Sequence, residues 1–197
     1  MTIQPYRSTA SGTNMAKYLI RYKCGHEVER QLFGKNSDRE NYISWAQEQL
    51  CPACQRKIHH DEVACQRKAY HDEALADAAA KGYPKLEGSE KQVAWAMDLR
   101  YTFVNDTEDY IKEKIEYIIS DTYKNEAARN EQLDRFDKFC TELREVVAYL
   151  VANKTSAKYW IDSRFWIDPL TYKYGEEKTP KDLVREIKKE MEQKKLG

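Results

Sequence analysis

Two short segments, Tyr18-Leu-Ile-Arg-Tyr-Lys-Cys24-Gly-His26 and Cys51-Pro-Ala-Cys54, carry the strongest structural signal in this sequence of 197 residues. Each segment places two metal-binding side chains within one turn of the chain, and residues 27–50 separate the two pairs. Three thiols and one imidazole, arranged as two close pairs, match the tetrahedral ligand set of Zn²⁺. We therefore predict that Cys24, His26, Cys51 and Cys54 bind one structural Zn²⁺, since four protein ligands leave no open coordination position.

The residues around these ligands predict a β-hairpin followed by a helix. Aromatic or aliphatic residues alternate with mainly basic ones over residues 17–23, and residues 28–33 form the returning strand. The pattern Ser37-Asp-Arg-Glu40 is typical of a capping box. It predicts a helix that runs to about Leu50 and buries Tyr42, Trp45, Ala46 and Leu50.

The chain after Cys54 is predicted to begin with a solvated helical stalk that ends near Ala80. Residues 53–63 are repeated as residues 64–74 with eight of eleven positions identical, and eleven residues correspond to three helical turns. Few of these residues are large and apolar. A second metal site at His59, His60, Cys65 and His71 is disfavoured, because a rise of ~1.5 Å per residue separates His60 from His71 by ~16 Å.

The remaining residues predict a helical bundle. Helix caps are indicated at Ser89-Glu-Lys-Gln92, at Asn105-Asp-Thr107 and at Thr179-Pro180. Apolar residues between Leu133 and Leu150 follow the spacing of a coiled-coil seam, in which Cys140 is a small buried residue. Such a seam could pack within one chain or between two copies of the chain in a dimer.

The predicted fold class is mainly α with a small N-terminal β-hairpin zinc ribbon (α+β). The predicted domains are a disordered tail at 1–16, the ribbon module at 17–57, a helical stalk and linker at 58–84, and the helical bundle at 85–197.

Composition indicates the compartment. No apolar run approaches the ~20 residues of a membrane span, and the N-terminus lacks the apolar core of a signal peptide. The five cysteines leave Cys65 and Cys140 outside the predicted metal site, which fits a reducing environment. We expect a cytoplasmic protein without disulfides or membrane contact.

The sequence favours a non-enzymatic protein. It contains neither a phosphate-binding glycine loop nor a nucleophile elbow, and its acidic residues are scattered at helix-surface spacing. Only four histidines are present, of which one is a predicted metal ligand.

Nucleic acid is one predicted partner. Lys and Arg total 33, as do Asp and Glu, but residues 1–60 carry nine basic and five acidic side chains. Arg21, Lys23 and Arg30 lie on or beside the predicted strands, where zinc ribbons often contact DNA or RNA. An ordinary solvated surface is the alternative interpretation.

The aromatic segment 159–174 is the second predicted contact. Its aromatic side chains are interleaved with cations, and Tyr159, Trp160, Arg164 and Trp166 are the candidate partner-binding residues. They could stack on unpaired bases, anchor a protein interface, or simply cover the bundle.

Several motifs together resemble a family. Cys24-Gly-His26, Cys51-Pro-Ala-Cys54, residues 86–96 and residues 156–164 are similar to small, uncharacterised zinc-ribbon proteins carried by phages, plasmids and integrative elements of Gram-positive bacteria. The resemblance covers about residues 15–164. It transfers the four metal ligands and no catalytic residue.

The resemblance implies a binding protein of a mobile genetic element. Such proteins commonly bind nucleic acid or a host machine, and some inhibit defence systems such as CRISPR nucleases. We therefore expect a host protein or ribonucleoprotein effector as the partner. The alternative function is a nucleic-acid-binding regulator or replication accessory protein.

Overall fold

The computed structural model describes residues 15–120, 125–164 and 179–196. Within these ranges the elements are β1 Met15–Arg21, β2 Glu27–Phe33, α1 Asn36–Gln47, α2 Pro52–Ala80, α3 Glu90–Ser120, α4 Glu126–Asn153, α5 Ala157–Asp162 and α6 Pro180–Lys195. The predicted fold class is confirmed, because an N-terminal two-stranded antiparallel hairpin precedes a helical bundle. The predicted tail lies outside the described residues, except for Met15 and Ala16, which begin β1.

The chain divides into two compact units, residues 1–67 and residues 68–197. We call them the hairpin unit and the bundle unit. Their boundary falls inside α2. None of the helices in the described ranges is long and apolar enough to cross a membrane.

The hairpin unit is built on the antiparallel pairing of β1 with β2, in which Tyr18 lies opposite Arg30 and Ile20 opposite Val28. Successive side chains point to opposite faces of a strand, so these residues share the inner face. This face and α1 enclose a small core of four buried residues, which are Ile20, Tyr22, Ala46 and Cys51. The outer face is solvated, and there Lys17 pairs with Glu29 at 2.9 Å.

Helix α1 corrects two predictions. It begins at Asn36 after Lys35, which makes no side-chain cap, and therefore starts before the predicted Ser37 box. Ala46 is buried as predicted, but Tyr42 and Trp45 are 37% and 56% exposed. A two-stranded hairpin covers only a narrow stripe of a helix, so the flank that carries these two rings stays in solvent.

The second half of α2 is not a solvated stalk. Ala74 and Ala78 are buried in the core of the bundle unit. Tyr70 forms a hydrogen bond with Thr102, and His71 Nδ1 lies 2.6 Å from Asp98 Oδ1. The small alanine side chains allow close packing against neighbouring residues. A prediction based on large apolar residues therefore overlooks this buried part of α2.

Helix α3 is a single helix, whereas a cap at Asn105-Asp-Thr107 was predicted to divide it. The side chain of Thr107 is buried and donates a hydrogen bond to the Phe103 carbonyl at 2.7 Å. A hydroxyl satisfied by the preceding turn is compatible with a helix interior. The cap predicted at Ser89 is present, since the backbone N–H of Gln92 donates a hydrogen bond to Ser89 Oγ.

The predicted seam of α4 packs within this chain against α3 and α6. Cys140 is buried there, as predicted. Arg144 joins α4 to α3 through two hydrogen bonds to the Glu108 carboxylate, at 2.9 and 2.7 Å. Helix α6 begins with the predicted cap at Thr179, and Leu183 and Ile187 are buried.

Candidate metal centre

The first ligand pair lies in the tight turn between β1 and β2. The Tyr22 amide donates to the His26 carbonyl at 2.9 Å, and the Gly25 amide donates to the Tyr22 carbonyl at 2.8 Å. Gly25 has φ +83°, a left-handed conformation that glycine adopts readily. The turn therefore presents Cys24 and His26 toward the same point.

The second pair lies at the start of α2. Cys51 directly precedes the helix, and Cys54 lies in its first turn. A hydrogen bond of 2.8 Å from the Lys23 amide to the Gln49 carbonyl fastens the hairpin turn to this segment. Pro52 occupies the first helical position, where its missing N–H leaves no bond unmade.

The four predicted ligands meet at one point. The sulfur atoms of Cys24, Cys51 and Cys54 and a ring nitrogen of His26 all lie within 4.8 Å of one another. His26 Nδ1 is 3.5 Å from Cys51 Sγ and 3.3 Å from Cys54 Sγ. All three cysteines are free thiols. The predicted convergence of the four residues is therefore confirmed as a possible metal site.

This geometry fits a tetrahedral ion. Bonds of about 2.0–2.3 Å from a central metal would separate its ligand atoms by roughly 3.5–4 Å. The observed separations need only small adjustments to meet that value. Thiolate and imidazole ligands suit Zn²⁺ and other soft transition metals, and exclude Ca²⁺ and Mg²⁺ as preferred ions.

The pKa values of the cysteines reflect their crowding. The backbone N–H of Cys51 donates to Cys24 Sγ at 3.3 Å and lowers the pKa of Cys24 to about 6. The backbone N–H of Cys54 lowers the pKa of Cys51 in the same way. A hydrogen bond with the Cys51 side chain, together with burial, raises the pKa of Cys54 to about 11, and the nearby charges of Cys24 and Cys51 add to the rise. A bound cation would offset the repulsion among the thiolates of Cys24, Cys51 and Cys54.

No second metal site is found among the described residues. The only group of three or more ligating side chains there is the set at Cys24, His26, Cys51 and Cys54. His60 and Cys65 are exposed on α2 and belong to no such group.

The three residues of the predicted nucleic-acid face do not share one surface. Arg21 is exposed on the outer face of β1, opposite Glu27, and Lys23 is exposed in the turn that follows. Arg30 lies on the inner face, opposite Tyr18. Strand alternation therefore separates Arg30 from Arg21.

The predicted partner-binding residues are only partly at the surface. Trp160 is 0% exposed, and its Nε1 donates to the Lys154 carbonyl at 2.7 Å. An indole buried in this way cannot reach a partner in this fold, so Trp160 is better described as a core residue. Tyr159 and Arg164 are half-buried, and Trp166 lies outside the described residues.

Comparison with known proteins adds no relative: no family model, curated protein or solved structure matches this chain.

Sequence reasoning missed one surface of the hairpin unit. The exposed rings of Tyr42 and Trp45 lie on α1, on which Arg39 precedes Tyr42 by three residues. The apolar character of the rings suggested a buried face. No local signal marked the exposure of Tyr42, since it precedes Ala46 by four residues and so lies on nearly the same helix face.

Proposed function

We propose that this chain is a non-enzymatic binding protein whose hairpin unit is held folded by a structural Zn²⁺. The observation that carries the proposal is the convergence of Cys24, His26, Cys51 and Cys54 within 4.8 Å. Four protein ligands complete a tetrahedron, which favours a structural role over a catalytic one.

The size of the hairpin core supports a structural ion. Within the described residues this core contains four buried side chains, and one of them is Cys51. A core this small rarely stabilises a fold without a metal or a disulfide. The site also joins the turn after β1 to the start of α2, so a bound ion would crosslink segments distant in sequence.

The proposed partner is a host nucleic-acid-processing effector, such as a CRISPR nuclease. The support for this partner is the resemblance of residues 15–164 to proteins of mobile elements in Gram-positive bacteria. The alternative is direct nucleic-acid binding, which is favoured by the cations and aromatic rings of the hairpin unit.

The zinc proposal is tested by comparing Cys51→Ser with Cys65→Ser. Cys51 belongs to the cluster, whereas Cys65 is exposed on α2 outside it. We expect the wild type and Cys65→Ser to copurify with about one Zn²⁺ per chain, and Cys51→Ser to lose it. Full zinc content in Cys51→Ser would refute the proposal.

The same three proteins, tagged, test the class of partner. Each is used to capture material from a Gram-positive host lysate with and without nuclease. A stoichiometric protein that survives nuclease and is lost with Cys51→Ser would support the effector proposal. An eluate emptied by nuclease would favour the alternative.

A further inference from the structure

The exposed part of α2 carries the internal repeat of the chain. Residues 55–73 are exposed apart from two half-buried positions. Within the described ranges, the ion pairs of α2 involve His60, His71 and Lys81. The charged side chains of Lys57, Lys68 and Asp72 are left without an ion pair in that part of the chain, and so they remain available to a partner.

A short apolar stripe runs along this exposed part. Ile58 is 46% exposed, and Cys65 and Ala69 are also exposed. Spacings of seven and four residues place the three side chains on one helix face. At about 100° of rotation per residue, this stripe lies opposite Ala74 and Ala78, which are buried in the core of the bundle unit. The stripe and the packed side are thus different sides of one helix.

A row of alternating charges borders one side of the stripe. It consists of Lys57, Asp61, Lys68 and Asp72, which follow one another at spacings of four, seven and four residues. Each copy of the repeat therefore contributes a cation and then an anion to the row. We call the stripe and the row together the repeat face.

The order of these charges matches a second copy of the chain that runs in the opposite direction. With a two-fold axis near Cys65, Lys57 faces Asp72 of the partner subunit, and Lys68 faces Asp61 of the partner subunit. A two-fold interface is self-complementary, so each pair occurs twice and four opposite-charge pairs form. A parallel copy in register would place each charge beside its like.

The other charges of the repeat do not oppose this arrangement. Glu62 and Glu73 lie on the other side of the stripe. The antiparallel register sets them beside Gln66 of the partner subunit and Gln55 of the partner subunit, which are neutral amides. The remaining cations, Arg56 and Arg67, lie on the far side of the helix.

We propose that the repeat face of α2 forms an antiparallel, two-fold symmetric contact with the same face of a second copy of this chain. The stripe is short and the ion pairs are exposed, so the contact is weak and sensitive to salt. The inference goes beyond the proposed function and does not involve the four candidate metal ligands.

The first test is analytical ultracentrifugation of the zinc-loaded full-length protein, with a reductant that prevents a disulfide between two copies of Cys65. We expect a monomer–dimer equilibrium whose dissociation constant rises at least about tenfold between about 0.05 and 0.5 M salt. A protein that stays monomeric at about 0.5 mM in low salt would overturn the inference.

Two double variants of equal net charge test the register. Lys57→Asp/Asp72→Lys keeps opposite charges in all four pairs between the copies. Lys57→Asp/Asp61→Lys keeps opposite charges four residues apart within the helix, but it sets like charges against each other between the copies. We expect the first variant to dimerise within about threefold of the wild type, and the second to dimerise at least about tenfold more weakly.

The reverse order of the two variants would show that these charges act within one helix and would overturn the inference, as would equal affinities. Zinc content and far-ultraviolet circular dichroism are measured for each variant. These controls distinguish loss of the repeat face from loss of the metal or of the helix, and a failure of zinc binding in the wild type would contradict only the proposed function.

Discussion

The indole of Trp160 fixes the position of α5 in the bundle unit. Its Nε1 donates to the carbonyl of Lys154, which follows the end of α4. Its ring centre lies 5.8 Å from that of Phe103 on α3, and also 5.8 Å from that of Tyr159. One side chain therefore contacts several segments of the core while its only polar atom is satisfied.

Replacement of Trp160 by alanine should destabilise the protein strongly. Loss of a fully buried aromatic ring leaves a cavity and an orphaned carbonyl, and we expect the free energy of unfolding to fall by about 3–5 kcal/mol. Urea unfolding followed by circular dichroism measures this change. The matched control is Trp95→Ala, with a smaller expected loss of about 1–2 kcal/mol, because that ring is half exposed and its one ring contact within the described residues is with Arg164 at 5.6 Å. Equal effects of the two substitutions would contradict this account.

The residues of the candidate metal centre could be predicted from sequence, whereas the exposure of Tyr42 and Trp45 could not. Cys24 and His26, like Cys51 and Cys54, are constrained by chemistry to lie close in sequence. Tyr42 and Trp45 have no such constraint, and their exposure depends on how much of α1 a two-stranded hairpin can cover. The area of α1 that the hairpin covers depends on tertiary packing, which local sequence does not encode.

At the scale of elements, the sequence predicted α4 and α6 well. The seam of α4 and the Thr179 cap of α6 are regular patterns with clear ends. Helix α3 was wrongly divided, because Asn105-Asp-Thr107 has the composition of a cap. Packing of Phe103 and Ile111 in one core holds the helix continuous across that segment. Tertiary contacts thus outweighed a local preference.

A carboxylate joins α6 to α4 and gives the bundle unit a pH-dependent contribution to stability. Glu190 Oε1 accepts hydrogen bonds from Lys154 Nζ at 2.6 Å and from the Tyr149 hydroxyl at 2.9 Å. The hydrogen bond from Lys154 holds the pKa of Glu190 below its usual value. A carboxylate with a lowered pKa stabilises the fold above its unfolded pKa of about 4.3, and this contribution disappears as pH falls through the folded pKa.

Glu190→Gln should therefore cost stability near neutral pH and little in acid. We expect a loss below about 1 kcal/mol at pH 7, because the pair is partly exposed, and a smaller loss at about pH 3.5. Urea midpoints at the two pH values measure the difference, with Glu192→Gln on the exposed side of α6 as the control. A loss that does not change with pH would mean that packing, rather than charge, explains the effect.

At the scale of the whole molecule, the two units differ in the size of their apolar cores. The hairpin unit has a core of four buried residues beside the candidate metal centre, whereas the core of the bundle unit draws on the second half of α2 and on α3, α4, α5 and α6. A unit that depends on a bound ion loses its fold when the ion is removed. A unit with a large apolar core does not share that dependence.

Metal removal should therefore unfold the hairpin unit and leave the bundle unit folded. Hydrogen–deuterium exchange with peptide mass spectrometry can follow both units in one sample. With excess EDTA, we expect β1 and β2 to lose protection while the buried segment of α4 around Leu143 and Val146 keeps it. A sample with EDTA and a molar excess of Zn²⁺ controls for the chelator itself and should retain both. Unchanged protection of the hairpin with a verified loss of metal would refute the structural role of the ion, and equal loss in α4 would refute the independence of the bundle core.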